Sequence, residues 1–288
     1  MPNWLLFVLP SLIWGSTWIV IKFQLGTVPP EASVAYRFGL SAVILLAWCV
    51  LAKERLRYGW RQHLSFMLLG ALNFAINYVL VYVSEQYLTS GLVAVVFVLM
   101  VFWNLAGERV LFAKPVAPRV SAGATLGVVG VGLMFWPEIA RVSLGGQAAL
   151  GLLAATVGTL SSSIGNLYAQ RLYARDLRVL PGTAWSMTYG AIAVALYAWG
   201  AGVPFRWENS VAYLVSLAYL TVFGTVIAFV TYLTLLKRIG AGRAGYTSAA
   251  IPVIAMLIST LFEHYTWTLP ALLGMGLVLA GNVLVLRR

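Results

Sequence analysis

Three stretches place polar and aromatic side chains where apolar ones alone would serve a helix packed in hydrocarbon. The first is SLIWGSTWIVIKF, residues 11–23. On a helix Ser11, Trp14, Gly15, Trp18 and Lys22 follow the i, i+3, i+4, i+7 rule and form one stripe. Flat indole surface, a small residue and a charge at one end suit a wall facing a small organic solute; a simple anchor needs none of them. In the second stretch Thr159, Ser163, Asn166 and Gln170 fall within about 60° on a helical wheel. Asn166 leads that row, because an amide both donates and accepts. The third stretch sets Asn73, Asn77 and Ser84 on one face and Tyr78, Tyr82 and Glu85 on another. Tyrosine combines flat apolar surface with a terminal hydroxyl. The candidate solute-binding set is therefore Trp14, Trp18, Asn77, Tyr78, Tyr82, Ser163 and Asn166.

A second group is charged. Lys22, Glu31, Arg37 and Glu85 gather toward the same end of their segments, and Arg37 sits deepest. It reads as the ion-pair partner of Glu31 or Glu85, or more sharply as a gate or a carboxylate-binding arginine. With no carboxylate at a segment centre, a proton relay is disfavoured. Catalytic chemistry finds little support. GxSxG, HExxH and P-loop patterns are absent, Asp176 is the lone aspartate, and His63 and His264 fall at segment ends. No catalytic residue, metal ligand or cofactor is expected. An intramembrane enzyme or a channel is the reading from another class.

The elements that must position these residues follow from composition. The 288-residue chain is 61% hydrophobic and 9% charged, with a mean hydropathy of +0.89. Soluble domains carry about 25% charged residues, so the solvent here is lipid. The single Cys49 permits no internal disulfide. The first apolar stretch follows only Met-Pro-Asn, lacks a basic leader and reads as a retained span. Long apolar runs without strict alternation indicate helices rather than a barrel. Spans are expected at about 4–23, 32–52, 64–84, 90–108, 119–136, 148–170, 180–200, 210–235, 244–262 and 269–286, each near the roughly 20 residues a bilayer requires. With the N-terminus cytoplasmic, fifteen Lys or Arg fall on the inner side and four on the outer. That asymmetry sets both termini in the cytoplasm and accounts for the net charge of +11. Nucleic acid is therefore not expected as a partner.

An internal repeat is also legible. TSGLVAVVFVLMVFWNLAGE (89–108) and AGYTSAAIPVIAMLISTLFE (244–263) are apolar runs that each end in a lone Glu, and they fall in spans four and nine. The spans that follow share glycine-rich stretches, GVVGVGLM at 127–134 and GLVLAGNV at 276–283. The expected fold class is all-α integral membrane, with ten transmembrane helices as two inverted five-helix repeats, 1–140 and 141–288. The odd span number per half forces the inversion, and inverted halves are typical of secondary transporters. Gly123, Gly127, Gly130, Gly274, Gly276 and Gly281 permit close helix contact and read as scaffold or as faces for a weak homodimer.

The order and spacing of WGSTWIVIKF (14–23), AYRFGLSAVILL (35–46), LTSGLVAVVF…AGE (88–108) and AIPVIAMLISTLFE (250–263) resemble the drug/metabolite transporter superfamily, in particular its ten-span group of two EamA-type repeats. The likeness covers essentially the whole chain. It implies a carrier in the inner membrane that exports amino acids or related metabolites, aromatic amino acids among them, by alternating access. A proton-coupled drug/metabolite antiporter is the alternative within that class. The family often places a proline in both spans four and nine; here Pro252 stands in the second half as the candidate hinge, and Phe97 occupies the first-half position.

Overall fold

The computed structural model describes residues 1–88, 90–113, 115–134, 136, 147–174, 177–262 and 267–286. Among these the regular structure is helical, with no strand. In chain order the helices are α1 (Asn3–Lys22), α2 (Pro30–Leu51), α3 (Trp60–Tyr87), α4 (Ser90–Phe112), α5 (Pro118–Met134), α6 (Gln147–Tyr173), α7 (Val179–Gly200), α8 (Val211–Ile239), α9 (Thr247–Phe262) and α10 (Leu269–Leu286). A short turn, Ala241–Ala244, precedes α9. The helix limits lie within a few residues of those expected. By length and composition, α1, α2, α3, α6, α7 and α8 are apolar enough to cross a bilayer, and Pro118–Met134 and Leu269–Gly281 are shorter apolar helices. Glu263, His264, Arg141, Lys114, Arg175, Asp176, Arg287 and Arg288 lie outside the described residues.

The distribution of side chains inverts that of a soluble protein. The buried set includes Arg37, Glu85, Asn73, Asn77, Asn104, Asn166 and many Ser and Thr, while Leu40, Val43, Ile44, Trp48, Ile192 and Leu196 stand exposed on α2 and α7. Lipid solvates an apolar face at no cost, whereas a polar group facing it finds no partner, so polarity turns inward.

The helices pack in a paired pattern. α1 lies against α8 and α9, and α6 lies against α3 and α4. α2 packs on α7, α4 on α9 and α5 on α10. Matching α1–α5 to α6–α10 in order leaves these main pairings unchanged. The close approaches use the glycines. A Cβ on Gly281 would meet the Gly127 backbone nitrogen at 3.1 Å, and one on Gly130 the Val278 nitrogen at 2.9 Å, so the stripes of α5 and α10 face each other within the chain. On α3, a Cβ at Gly70 would lie 2.9 Å from the Gly190 nitrogen of α7 and overlap the Ser186 carbonyl.

Two helices are interrupted alike. α3 and α8 each run eleven α-helical residues and then form a six-residue π-helical turn, Ala71–Ile76 and Val222–Ile227. π turns are rare and shift the carbonyl register, so some carbonyls lose their regular helical donor.

The obstacle at Gly70 is backbone, which has nowhere to move. Gly70→Ala is therefore expected to destabilise the protein by about 1–3 kcal/mol, despite alanine's better helix propensity. A lower unfolding temperature of the purified protein in detergent checks this.

Candidate functional site

The site begins at the two π turns. In hydrocarbon a released carbonyl must find a donor or carry a cost of about 1–3 kcal/mol. The Gly224 carbonyl of α8 accepts from Trp14 Nε1 at 3.0 Å and from Arg37 Nη2 at 3.3 Å. Arg37 Nε donates to Thr225 Oγ1 at 2.8 Å, and Thr225 in turn donates to the Leu220 carbonyl at 2.8 Å. On α3 the Leu72 carbonyl accepts from Ser161 Oγ of α6 at 2.9 Å. Each π turn is thus tied by a side chain from the helix packed against it, α8 by α1 and α3 by α6. Gly224 must be small at this point: a Cβ there would lie 3.1 Å from Arg37 Nη2 and 2.9 Å from Thr17 Cγ2.

Between these anchors lies an internal cavity. α1 contributes Trp14, Thr17, Trp18 and Ile21; Arg37, Asn77, Tyr78, Phe97 and Asn166 come from α2, α3, α4 and α6; Phe229 and Tyr232 come from α8. Its volume is about 70 Å³, on the order of five water-sized spheres. The walls are largely aromatic. Trp14 meets Phe229 and Tyr232 edge-on, each at 5.1 Å, and Trp18 meets Phe97 at 5.7 Å. Tyr78 packs edge-on against Phe38 at 4.7 Å. The Arg37 guanidinium lies over the Tyr78 ring at 4.9 Å, a cation–π contact that offsets part of the cost of burying a charge.

The proposed binding residues separate into two groups. Trp14, Trp18, Asn77, Tyr78 and Asn166 meet at this cavity. Ser163 and Tyr82 do not line it. Ser163 Oγ donates to Asn104 Oδ1 at 2.7 Å, joining α6 to α4. The buried Tyr82 hydroxyl donates to Gln24 Oε1 at 2.7 Å. Both are structural ties: Ser163 joins two helices, and Tyr82 joins α3 to the loop after α1. Asn166 Nδ2 donates to Met100 Sδ at 3.3 Å, a weak partner that leaves the amide available.

The α1 stripe is also shifted by one position. Gly15 is filled by Ile254 of α9, and Ser11 bonds its own helix at the Phe7 carbonyl, so Thr17 and Ile21 complete the lining face with the tryptophans. Phe229 and Tyr232, an i, i+3 aromatic pair on α8, join the wall through the packing of α8 against α1, which no pattern within α8 itself signals.

The charged group is spread out. Lys22 is exposed at the end of α1, and Glu31 is half-buried in the first turn of α2. Among the described residues Arg37 forms no ion pair with Glu31 or Glu85; its partners are the π turn and the rings. Arg37 is 1% exposed and belongs to the cavity wall, deeper than its place in the sequence suggests. Glu85 is buried on α3 with both carboxylate oxygens lacking hydrogen-bond partners. Pro252 lies inside α9, next to the lining residue Ile251. Among the described residues no cluster of His, Cys, Asp and Glu could hold a metal ion.

Comparison with known proteins adds the following. The profile of the EamA-like transporter family matches residues 2–136 and 149–287. An uncharacterized transporter of Archaeoglobus fulgidus is 24% identical over 294 residues, covering 100% of both chains. The uncharacterized inner membrane transporter YedA of Escherichia coli is 26% identical over 278 residues, covering 95% of this chain and 87% of that protein. The uncharacterized transporter YoaV of Bacillus subtilis is 25% identical over 277 residues, 94% of this chain and 92% of its own. A solved crystal structure aligns with a TM-score of 0.82 at 19% identity, covering 98% of this chain and 95% of that one; at that identity the likeness is one of fold.

The geometry separates scaffold from wall. Ser163→Ala is expected to lower stability by about 0.6 kcal/mol, the average for an interhelical hydrogen bond in a membrane protein. Thermal unfolding in detergent reads that loss, while solute affinity stays at the wild-type value.

Proposed function

Because this chain belongs to the EamA-like transporter family, we propose that it moves amino acids or similar small metabolites across the inner membrane, as an exporter or facilitator working by alternating access. The observation that carries the reading is the cavity itself. It lies between α1, α2, α3 and α4 on one side and α6, α8 and α9 on the other, with aromatic walls and polar atoms that have no protein partner. Trp14, Trp18 and Tyr78 contact the substrate side chain, and Asn77 and Asn166 contact its polar ends.

The reading includes ten spans as two inverted five-helix halves, 1–140 and 141–288, with both termini cytoplasmic. The paired packing, the matched π turns and the two stretches matched by the family profile support the repeat. The Lys and Arg asymmetry supports the orientation. The halves rock about α4 and α9, with Pro252 supplying a bend. Transport is driven by the substrate's own gradient. One observation favours a second reading, proton-coupled antiport: the buried Glu85 carboxyl has no hydrogen-bond partner.

The experiment is counterflow of labelled amino acids in liposomes holding the purified protein, with and without a pH gradient. Saturable exchange indifferent to the gradient is expected, and it separates a carrier from a channel, which shows no counterflow. Exchange that follows the gradient transfers the case to Glu85. Asn166→Ala is expected to raise KM about two- to tenfold, the effect of one lost hydrogen bond; unchanged transport would count against this cavity as the site.

A further inference from the structure

Four side chains of the cavity wall carry a buried polar atom without a hydrogen-bond partner: Trp18 Nε1, Arg37 Nη1, Asn77 Oδ1 and Tyr232 Oη. Native proteins rarely leave such atoms orphaned, since a buried polar group without a partner is destabilising unless something else satisfies it. The charged one is the most demanding. Arg37 cannot lose its proton, so its free Nη1 retains a full claim on an acceptor. Its other two nitrogens are held at the π turn of α8, and its plane rests over Tyr78, which fixes the direction in which Nη1 points. Among the described residues that line the cavity none is a carboxylate. The buried acid of α3, Glu85, stands two turns beyond Tyr78, and its carboxylate oxygens form no hydrogen bond with Arg37. The cavity wall therefore presents one fixed positive charge.

Resting on the amino-acid reading above, we propose that Arg37 is the anchor for a substrate carboxylate, and that the site selects by charge, accepting monocarboxylates and zwitterionic amino acids and rejecting amines that carry no carboxylate. Arg37 Nη1 and Trp18 Nε1 both donate, as a carboxylate requires. The Asn77 amide, which presents a carbonyl or an NH2 group by rotation, serves an ammonium group or a second acceptor. A cation without a carboxylate meets the guanidinium in a medium of low dielectric, where like-charge repulsion is strong. This gives Arg37 a role other than ion pairing with Glu31 or Glu85.

Three solutes of one skeleton test the proposal: leucine, isocaproate (the same chain without the amine) and isoamylamine (without the carboxylate). Binding is measured by calorimetry on the detergent-purified protein, which avoids leakage of neutral forms through lipid, and leucine counterflow is measured in liposomes. Wild type is expected to bind leucine and isocaproate and not isoamylamine. Arg37→Gln is expected to weaken both carboxylates about tenfold or more, as removal of a charge-assisted hydrogen bond does, and Arg37→Lys to keep the order of preference at reduced affinity. If Arg37→Gln does not purify as a monodisperse protein, Asn77→Asp decides: a negative charge added to the wall weakens isocaproate about tenfold and admits isoamylamine. An unaltered order of preference in that variant overturns the anchor. Leucine counterflow that Arg37→Gln leaves unchanged overturns the anchor and spares the transport reading. Isocaproate binding that depends on Arg37, without leucine counterflow, does the reverse. Tight binding of isoamylamine to wild type overturns the charge selection outright.

Discussion

The carbonyl of Gly224 is the point on which the site depends. It lies within the π turn of α8, where carbonyl register is shifted, and the bilayer interior offers no water as a partner. Two donors meet there, Trp14 Nε1 and Arg37 Nη2, so one released backbone group ties α1, α2 and α8 together at mid-bundle. The tryptophan indole then stands upright against Phe229 and Tyr232, and the guanidinium is pinned with one nitrogen to spare.

The same economy separates the buried polar groups into two kinds. Some are used in holding the chain's segments together: Ser163 with Asn104, Tyr82 with Gln24 in the loop after α1, Ser161 with the Leu72 carbonyl, and Gln170 with the Ala241 amide where α8 gives way to the turn before α9. Each contributes only a fraction of a kcal/mol, yet together they set helix positions that apolar contact with lipid-like neighbours cannot specify. Others have no hydrogen-bond partner, and several of these belong to residues of the cavity wall. The aromatic walls keep these groups apart, because rings in edge-to-face contact are bulky and rigid and accept no strong hydrogen bond.

The glycine-rich helices α5 and α10 stand apart from the site and meet each other through close backbone contact. Their stripes are therefore occupied within the chain and serve as scaffold. The cavity, in contrast, is lined by residues of α1, α2, α3, α4, α6, α8 and α9.

Sequence by itself determined the membrane class, the helical elements to within a few residues, the inward pull of polar side chains and five of the seven wall residues proposed for the cavity. These depend on local properties: hydropathy over a span length, and the angular position of side chains on one helix. Tertiary structure decided the rest. Ser163 and Gly15 share stripes with true wall residues, and only the neighbouring helix shows that Asn104 and Ile254 already fill their places. Arg37 looked like the outer member of a charge cluster because Tyr78 and the π turn lie 41 and 187–188 residues away, where no local pattern reaches. Phe229 and Tyr232 joined the wall for the same reason: a helical wheel gives the direction of a side chain within its own helix, and the packing of the other helices decides whether that direction leads to lipid, to a neighbour or to the cavity.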